Sequence, residues 1–393
     1  MSEIPLSARA RAITDSITLA ITARAQTMKA QGVDVVSLAA GEPDFASPDA
    51  VREAGIKAIR DGQTRYTAAT GMPDVRAAGA SWLSRVFGLN YAAGDVIVTA
   101  GAKPALMLGL MAICGDGDRV LLPAPFWPSY VDIVKLALGV PVIVPAVPEQ
   151  DFVHAGAQIV RAARDAKAKG IVLNYPNNPS GAVPTRAQVE ELVAAALEAG
   201  LWIVSDEIYA RLIYDGREHF SPARCSGAAE RVLVVNGGTK SHSMTGWRIG
   251  FLAGPRHVVD AAGRIQSQAI GNACTISQRA VLAVCNESDD AELRARLRAF
   301  DERRRWVVQA VNQIPGLTLA TPHGAFYALI DARPVCRRLG YDDVELAERL
   351  LSDAKVALIP GGPFAIPGFI RLSYAASMKE LEEGVRRIAA FLS

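Results

Sequence analysis

Between Pro48 and about Cys285 the chain repeats one local order: a short apolar run of strand type, a polar or glycine-rich corner, then a helix-period segment closed by glycine. This alternation confines the fold to the α/β class, in which helical crossovers cover both faces of a mainly parallel sheet. Six apolar runs read as its buried strands: Val96 to Thr99, Arg119 to Leu122, Gly170 to Leu173, Leu201 to Ser205, Val232 to Val235 and Ile249 to Leu252. Helix punctuation agrees with them. Ser47-Pro48 opens a segment that stops at Gly62, and Thr185 with Gln188 forms a capping box for a segment that ends at Gly200. Parallel strands joined by helical crossovers point the same way. Residues just past their ends therefore collect along one sheet edge, where α/β proteins bind ligands.

Beyond Cys285 the pattern changes. A long charged helix pattern runs from about Ser288 to Gln313 and breaks at Pro315-Gly316. Shorter strands follow around Leu317 to Leu319, Ala325 to Ile330, Val356 to Ile359 and Ile370 to Tyr374, with a helix near Asp343 to Ala354 and a closing helix capped by Ser377 and Glu380. This is the pattern of a smaller α+β domain. The first 45 or so residues hold an amphipathic helix and the extended piece Val35 to Ala39 but no complete core, which assigns them to the small domain too. The expected division is 1–48 (N-terminal segment of the small domain), 49–285 (large domain) and 286–393 (linking helix and small C-terminal domain).

Several function classes are excluded by what the chain lacks. With 42 Lys plus Arg against 40 Asp plus Glu, there is no strong net field to draw nucleic acid or an anionic membrane. Five scattered cysteines without C-x-x-C spacing argue against a disulfide framework or a thiolate zinc site, and fit a reducing cytoplasm. No histidine pair has metal-ligand spacing, so no metal is expected. The N-terminal stretch lacks an apolar h-region, and no apolar stretch approaches the ~18 to 20 residues that span a bilayer, so a soluble protein without an export signal is expected. Neither G-x-G-x-x-G nor G-x-x-x-x-G-K-[ST] occurs, which counts against dinucleotides and nucleoside triphosphates.

The chemistry lies just past the strands. Lys240 follows a buried strand in a glycine-rich corner, eight residues before Arg248 in T-K-S-H-S-M-T-G-W-R-I-G. Desolvation and a neighbouring cation both disfavour its ammonium form, which leaves an amine able to form a Schiff base. Taken alone, the pair reads equally as a solvated loop lysine and an ion-pairing arginine. Asp206 ends the run Leu201 to Ser205, three residues before Tyr209, and a carboxylate there needs a cationic partner such as a protonated pyridine nitrogen. Alone, it is also an N-cap aspartate with a core tyrosine. Gly101-Ala102-Lys103 opens a helix whose free amides suit a phosphate. Arg371, inside an apolar strand pattern, clamps a carboxylate or snorkels to water, and Trp127 stacks on an aromatic ligand or packs in the core. The set has one common use: an amine, a carboxylate, a phenol, a phosphate cradle, an indole and a carboxylate clamp are what pyridoxal phosphate chemistry requires.

Six segments then carry a resemblance that runs nearly end to end: S-L-A-A-G-E-P-D-F (Ser37 to Phe45), Y-T-A-A-T-G-M-P-D-V-R (Tyr66 to Arg76), N-Y-P-N-N-P-S-G (Asn174 to Gly181), S-D-E-I-Y (Ser205 to Tyr209), T-K-S-H-S-M-T-G-W-R-I-G (Thr239 to Gly250) and F-I-R-L-S-Y (Phe369 to Tyr374). The chain resembles the fold-type I pyridoxal-phosphate aminotransferases of class I/II, and among them the bacterial aspartate aminotransferase branch. The resemblance implies a large domain with a mainly parallel seven-stranded sheet sandwiched by helices, plus a smaller α+β domain from both chain termini. It implies that Lys240 holds pyridoxal 5'-phosphate, that Asp206 pairs with the ring nitrogen, and that Tyr209 and Asn178 bond the ring hydroxyl oxygen. Trp127 resembles the stacking residue, and Gly101, the amides of Ala102 and Lys103, Thr239 and the Arg248 side chain resemble the phosphate site. Arg371, with Asn178 and the Gly41 backbone, is similar to the α-carboxylate site, and Lys103 to a contact for a distal carboxylate, which favours aspartate, glutamate and 2-oxoglutarate.

Tyr66 resembles a residue that reaches the phosphate of a neighbouring subunit, which implies a two-fold homodimer with shared sites. The implied reaction is a ping-pong transfer from an L-amino acid to a 2-oxo acid, with Lys240, Asp206 and Tyr209 catalytic. Transfer from aromatic amino acids, alanine or to prephenate is an alternative, as is a lyase on the same cofactor. A non-enzymatic regulator is disfavoured, because the short N-terminal extension has no room for a helix-turn-helix. Two departures bear on pocket shape: His242 stands where relatives often carry Phe or Tyr, and Ala365-Ile366-Pro367 replaces a Gly-rich acidic turn.

Overall fold

The computed structural model describes residues 4–287 and 289–393. Met1 to Glu3, at the start of the expected 1–48 segment, and Ser288, from which the sequence begins the long charged helix, lie outside the described residues; that helix spans Ala291–Val311.

One sheet organises the larger part of the chain. Its seven strands are β1 (Val96–Thr99), β2 (Arg119–Pro123), β3 (Val140–Val144), β4 (Gly170–Asn174), β5 (Trp202–Asp206), β6 (Val232–Asn236) and β7 (Gly250–Ala253), in the spatial order β1-β7-β6-β5-β4-β2-β3. Consecutive residues alternate between two separate apolar clusters: Leu121, Ile203 and Val234 belong to one, Leu122, Val204 and Val235 to the other. Both faces are therefore buried, and each such side chain contributes about 1.5–3 kcal/mol when fully withdrawn from water. This is why the strands read as unbroken apolar runs. β3 escapes that reading because Pro141 interrupts it; a residue without an N–H is tolerated on an edge strand, where Val140 and Ile143 remain 45% and 52% exposed.

All pairings in this sheet are parallel except those of β7, which runs antiparallel to both β1 and β6. The start of β7 therefore lies at the edge where its neighbours end. Arg248, two residues before β7, is delivered to the same edge as the residues that follow β1, β5 and β6.

The rest of the chain builds a four-stranded antiparallel sheet in the order Ile359–Pro360, Phe369–Ser373, Tyr327–Asp331 and Thr318–Leu319, and a parallel pair in which Val36–Ser37 joins Val356–Ala357. That pair knits the N-terminal segment to the C-terminal one. A third apolar cluster lies beneath, with Phe300 and Val307 of the long helix and Leu381 and Ile388 of the closing helix Met378–Leu392. The capping boxes read at Thr185/Gln188 and Ser377/Glu380 are both formed.

Candidate active site

A cavity of about 560 Å³ opens where the ends of β1, β4, β5 and β6 face the small sheet and the helix Ile17–Ala30. Every residue given a catalytic, cofactor-binding or substrate-binding role from the sequence lines it, except two. Gly101 stands just behind it, and Tyr66 lies outside it on the surface, 97% exposed.

The loop after β6 carries Lys240, whose Nζ donates to the Gly41 carbonyl at 2.5 Å. Burial lowers the pKa of this amine to about 8; Arg371 and Arg248 act in the same sense, against the opposing charges of Glu42 and Asp206. Asp206, the last residue of β5, is buried. Its Oδ2 accepts from the Tyr130 hydroxyl at 2.7 Å and its Oδ1 from the Ile208 amide at 3.2 Å. Burial raises its pKa to about 6, with the Glu207 charge adding to the shift and the two donors and Lys240 opposing it. Among the described residues Asp206 forms no ion pair, so a buried carboxylate faces the cavity without a cation against it.

Asn174, at the end of β4, braces the floor: its Nδ2 donates to the Asp206 carbonyl at 3.0 Å and its Oδ1 accepts from the Asn178 amide at 3.0 Å. Asn178 in turn accepts from Arg371 Nη1 at 3.1 Å, while Arg371 Nη2 donates to the Ala39 carbonyl at 2.8 Å. The guanidinium, placed mid-strand in Phe369–Ser373, lies between the rings of Tyr327 (4.5 Å) and Phe364 (5.2 Å). Its Nε is buried without a partner, and burial lowers its pKa. The Tyr327 hydroxyl pairs with that of Tyr209 at 2.9 Å.

The opposite wall is an anion cradle. Gly101, at φ +110°, precedes the helix Ala102–Ile113, whose first amides have no intrahelical acceptor. A Cβ on Gly101 would lie 2.9 Å from Arg248 Nη2, and one on Gly250 would lie 2.9 Å from the Ala102 nitrogen. The close approach of backbone and guanidinium therefore requires glycine at both positions. Lys103 Nζ sits 4.7 Å over the Trp127 ring, its pKa lowered by burial and then by Arg248. Together these groups can hold a phosphate, anchor a carboxylate in a fork, and offer a free amine between them. No cluster of three metal-ligating side chains occurs among the described residues.

Among the lining residues that sequence reading missed are Tyr130, Asn174, Tyr327, Glu42 and Thr18. Tyr130 was within reach, three residues after Trp127, and Asn174 opens the N-Y-P-N-N-P-S-G segment. Tyr327 reads as strand core, Glu42 sits unremarked beside Gly41, and Thr18 lies on a helix read only as amphipathic. His242 does not shape the pocket: it is 2% exposed and turned toward Glu287, away from the cavity. Phe364, just before Ala365-Ile366-Pro367, instead closes over Arg371.

Among the described residues no helix is long and apolar enough to cross a membrane. The sequence model of the family "Aminotransferase class I and II" matches residues 33–388. The chain is 41% identical over 389 residues to the aspartate aminotransferase of Bacillus sp. (strain YM-2), covering 98% of this chain and 99% of that one. It is 40% identical over 385 residues to the probable aspartate/prephenate aminotransferase of Aquifex aeolicus, with 98% and 97% covered. The structure of the Thermus thermophilus aspartate aminotransferase with maleate is similar at a TM-score of 0.93 and 40% identity, covering 99% of this chain and 100% of that one.

Proposed function

We propose, for a chain that belongs to the class I and II aminotransferase family and is an aminotransferase, that it moves the amino group of L-aspartate or L-glutamate to a 2-oxo acid with pyridoxal 5'-phosphate as the carrier. The observation that carries this reading is one cavity holding the Lys240 amine, the unpaired Asp206 carboxylate and the Arg371 fork. The residues present fit that cofactor. A buried carboxylate lacking a cation matches a protonated ring nitrogen, and the Gly101 and Gly250 cradle, with no room for a Cβ, matches a phosphate. Lys240, Asp206, Tyr209, Asn178, Trp127, Thr239, Arg248 and the Ala102 and Lys103 amides would hold it.

When bound, pyridoxal phosphate supplies an aldehyde for the amino group and an electron-withdrawing cationic ring. Asp206 would hold a proton on the ring nitrogen by ion pairing. Arg371, oriented by Asn178 and the Ala39 carbonyl, grips the substrate α-carboxylate. Lys103, beside Trp127 in the cavity wall, would meet a distal carboxylate, which supports dicarboxylic substrates. With a pKa of about 8, Lys240 Nζ is partly free base near neutrality; it would take the proton from the substrate Cα and, once protonated, deliver it to the cofactor carbon that receives the amino group. Relatives named aspartate/prephenate aminotransferase support prephenate as a second acceptor.

Further proposals go with this reading. The 97% exposure of Tyr66 supports a homodimer in which it reaches the partner's site. The pairing of Val36–Ser37 with Val356–Ala357 supports a small domain made from 1–48 and 286–393, with 49–285 as the large one. Five free cysteines support a cytoplasmic address. The test is borohydride reduction of the cofactor-loaded chain with peptide mapping, followed by assay of L-aspartate with 2-oxoglutarate. Label on Lys240 and formation of oxaloacetate and glutamate are expected. An unlabelled Lys240, or ammonia released without an acceptor, would overturn the proposal.

A further inference from the structure

The loop that carries Lys240 turns back on itself, with the His242 amide donating to the Gly238 carbonyl and the Met244 amide to the Thr239 carbonyl, both at 2.8 Å. Lys240 and His242 leave this turn in different directions. Lys240 enters the cavity, whereas His242 is buried on the far side, its Nδ1 2.8 Å from Ser241 Oγ and its Nε2 3.0 Å from Glu287 Oε2. Glu287 lies in the short stretch between the helix Thr275–Cys285 and the long helix Ala291–Val311, which leads into the small sheet.

That stretch is held from two other elements. Arg211 reaches Glu287 Oε2 at 3.8 Å and Asp290 Oδ1 at 2.5 Å, and Arg85 donates to the Cys285 carbonyl at 2.6 Å. The next residue of the lysine loop repeats the connection. Ser243, at φ +53°, accepts on its Oγ from Arg296 of the long helix at 3.3 Å and on its carbonyl from Ser47 Oγ at 2.7 Å. Two consecutive residues of the lysine loop are thus bonded to residues 287–296, and none of these bonds is made to a group lining the cavity.

We propose that His242 is a positioning residue for Lys240: the Ser241–His242–Glu287–Arg211 chain, buried at His242 and partly exposed at Glu287, fastens the lysine loop to the start of the helix that links the two parts of the molecule. The proposal rests on the reading of Lys240 as the reacting amine. A flat ring filling the same space would keep the packing but not the tie, because only a side chain with a donor can meet the Glu287 carboxylate, which would be left with Arg211 alone at 3.8 Å. The Lys240 amine owes its lowered pKa first to burial, so a loosened loop admits water and lets that pKa climb toward the ordinary lysine value.

The test compares His242→Phe, His242→Gln, which restores a donor toward Glu287, and Glu287→Gln, which keeps an acceptor for the His242 N–H. Two readouts are taken on the full-length chain: the pH midpoint of Lys240 acylation after the cofactor is removed, and kcat and KM for aspartate on the loaded enzyme. Expected for His242→Phe are an upward shift of the acylation midpoint and a fall in kcat of about tenfold, the effect of losing one hydrogen bond of about 1.4 kcal/mol, with KM little changed; His242→Gln recovers most of both. An unchanged midpoint and kcat in His242→Phe, or a Gln variant no better than Phe, would overturn the proposal. If His242→Phe does not fold, Glu287→Ala against Glu287→Gln decides by the same readouts. Borohydride labelling of the unmutated chain keeps the two questions apart: no label on Lys240 refutes the functional reading, whereas label with an indifferent His242 refutes only the tie.

Discussion

Replacing Tyr130 with Phe removes one donor and little else, because the ring stays to meet Trp127 edge-on, their centroids 5.5 Å apart. The lost bond runs from a buried hydroxyl to a buried carboxylate at 2.7 Å. A hydrogen bond to a charged group contributes about 1.5–3 kcal/mol, and one pKa unit is about 1.4 kcal/mol, so its loss raises the Asp206 pKa by about 1 to 2 units. Asp206 already stands at about 6 with the bond in place. In the variant it reaches about 7 to 8, so at pH 7 its ionised share falls from about nine-tenths to between a half and a tenth. The direction follows from the donor's preference for the ionised form. The measurement is the affinity of the cofactor-free chain for pyridoxal phosphate as a function of pH. Affinity falls on the acid side as Asp206 takes up a proton, and the midpoint of that fall reports the carboxyl pKa of the free chain. In Tyr130→Phe the fall should begin 1 to 2 pH units higher, with affinity recovered at alkaline pH. A midpoint that does not move, or moves down, would show that Tyr130 does not hold Asp206 in its ionised form.

Asp206 also costs the cofactor-free fold stability. Its folded pKa of about 6 lies above the ordinary ~3.9, so the stability it allows at acid pH is lost as pH rises through about 6, by about 3 kcal/mol in all. Asp206→Asn should therefore raise the melting temperature of the cofactor-free chain at pH 8 but not at pH 4, while abolishing tight cofactor binding; equal melting at pH 8 would refute the argument. Arg371→Lys keeps the charge but loses the planar fork and the bonds to Asn178 and Ala39. KM for aspartate should rise by at least about a hundredfold, the lower bound set by two charge-assisted hydrogen bonds of about 1.5 kcal/mol each, and steady-state kinetics measures it. Gly101→Ala meets both a left-handed backbone at φ +110° and the Arg248 guanidinium, so the affinity for pyridoxal phosphate, read by equilibrium dialysis, should fall about tenfold or more as backbone strain and a displaced cradle add.

The sheet and most of the site were legible because strand ends in an α/β fold are addresses: once the apolar runs are placed, the residues after them share an edge whatever their separation in the chain. Lys240 reaches the Gly41 carbonyl across 199 residues and Arg371 meets Asn178 across 193, yet each pair lies in segments that sequence reading had already singled out. What could not be read is direction. An apolar run looks the same in either sense, so the reversal of β7, which turns Arg248 into the cradle from the opposite end of its strand, emerges only from the pairing. Side-chain direction was hidden for the same reason in the lysine loop, where His242 stands two residues from Lys240 yet is buried on the other side of the turn. Tyr130, on the helix Ser129–Leu136, and Thr18, on Ile17–Ala30, needed a third kind of information: a helix shows which residues face the interior but not what that interior contains. Chemistry placed after strands is thus readable from text, whereas chemistry placed on helices depends on packing, and that is where the donor that keeps Asp206 charged was found.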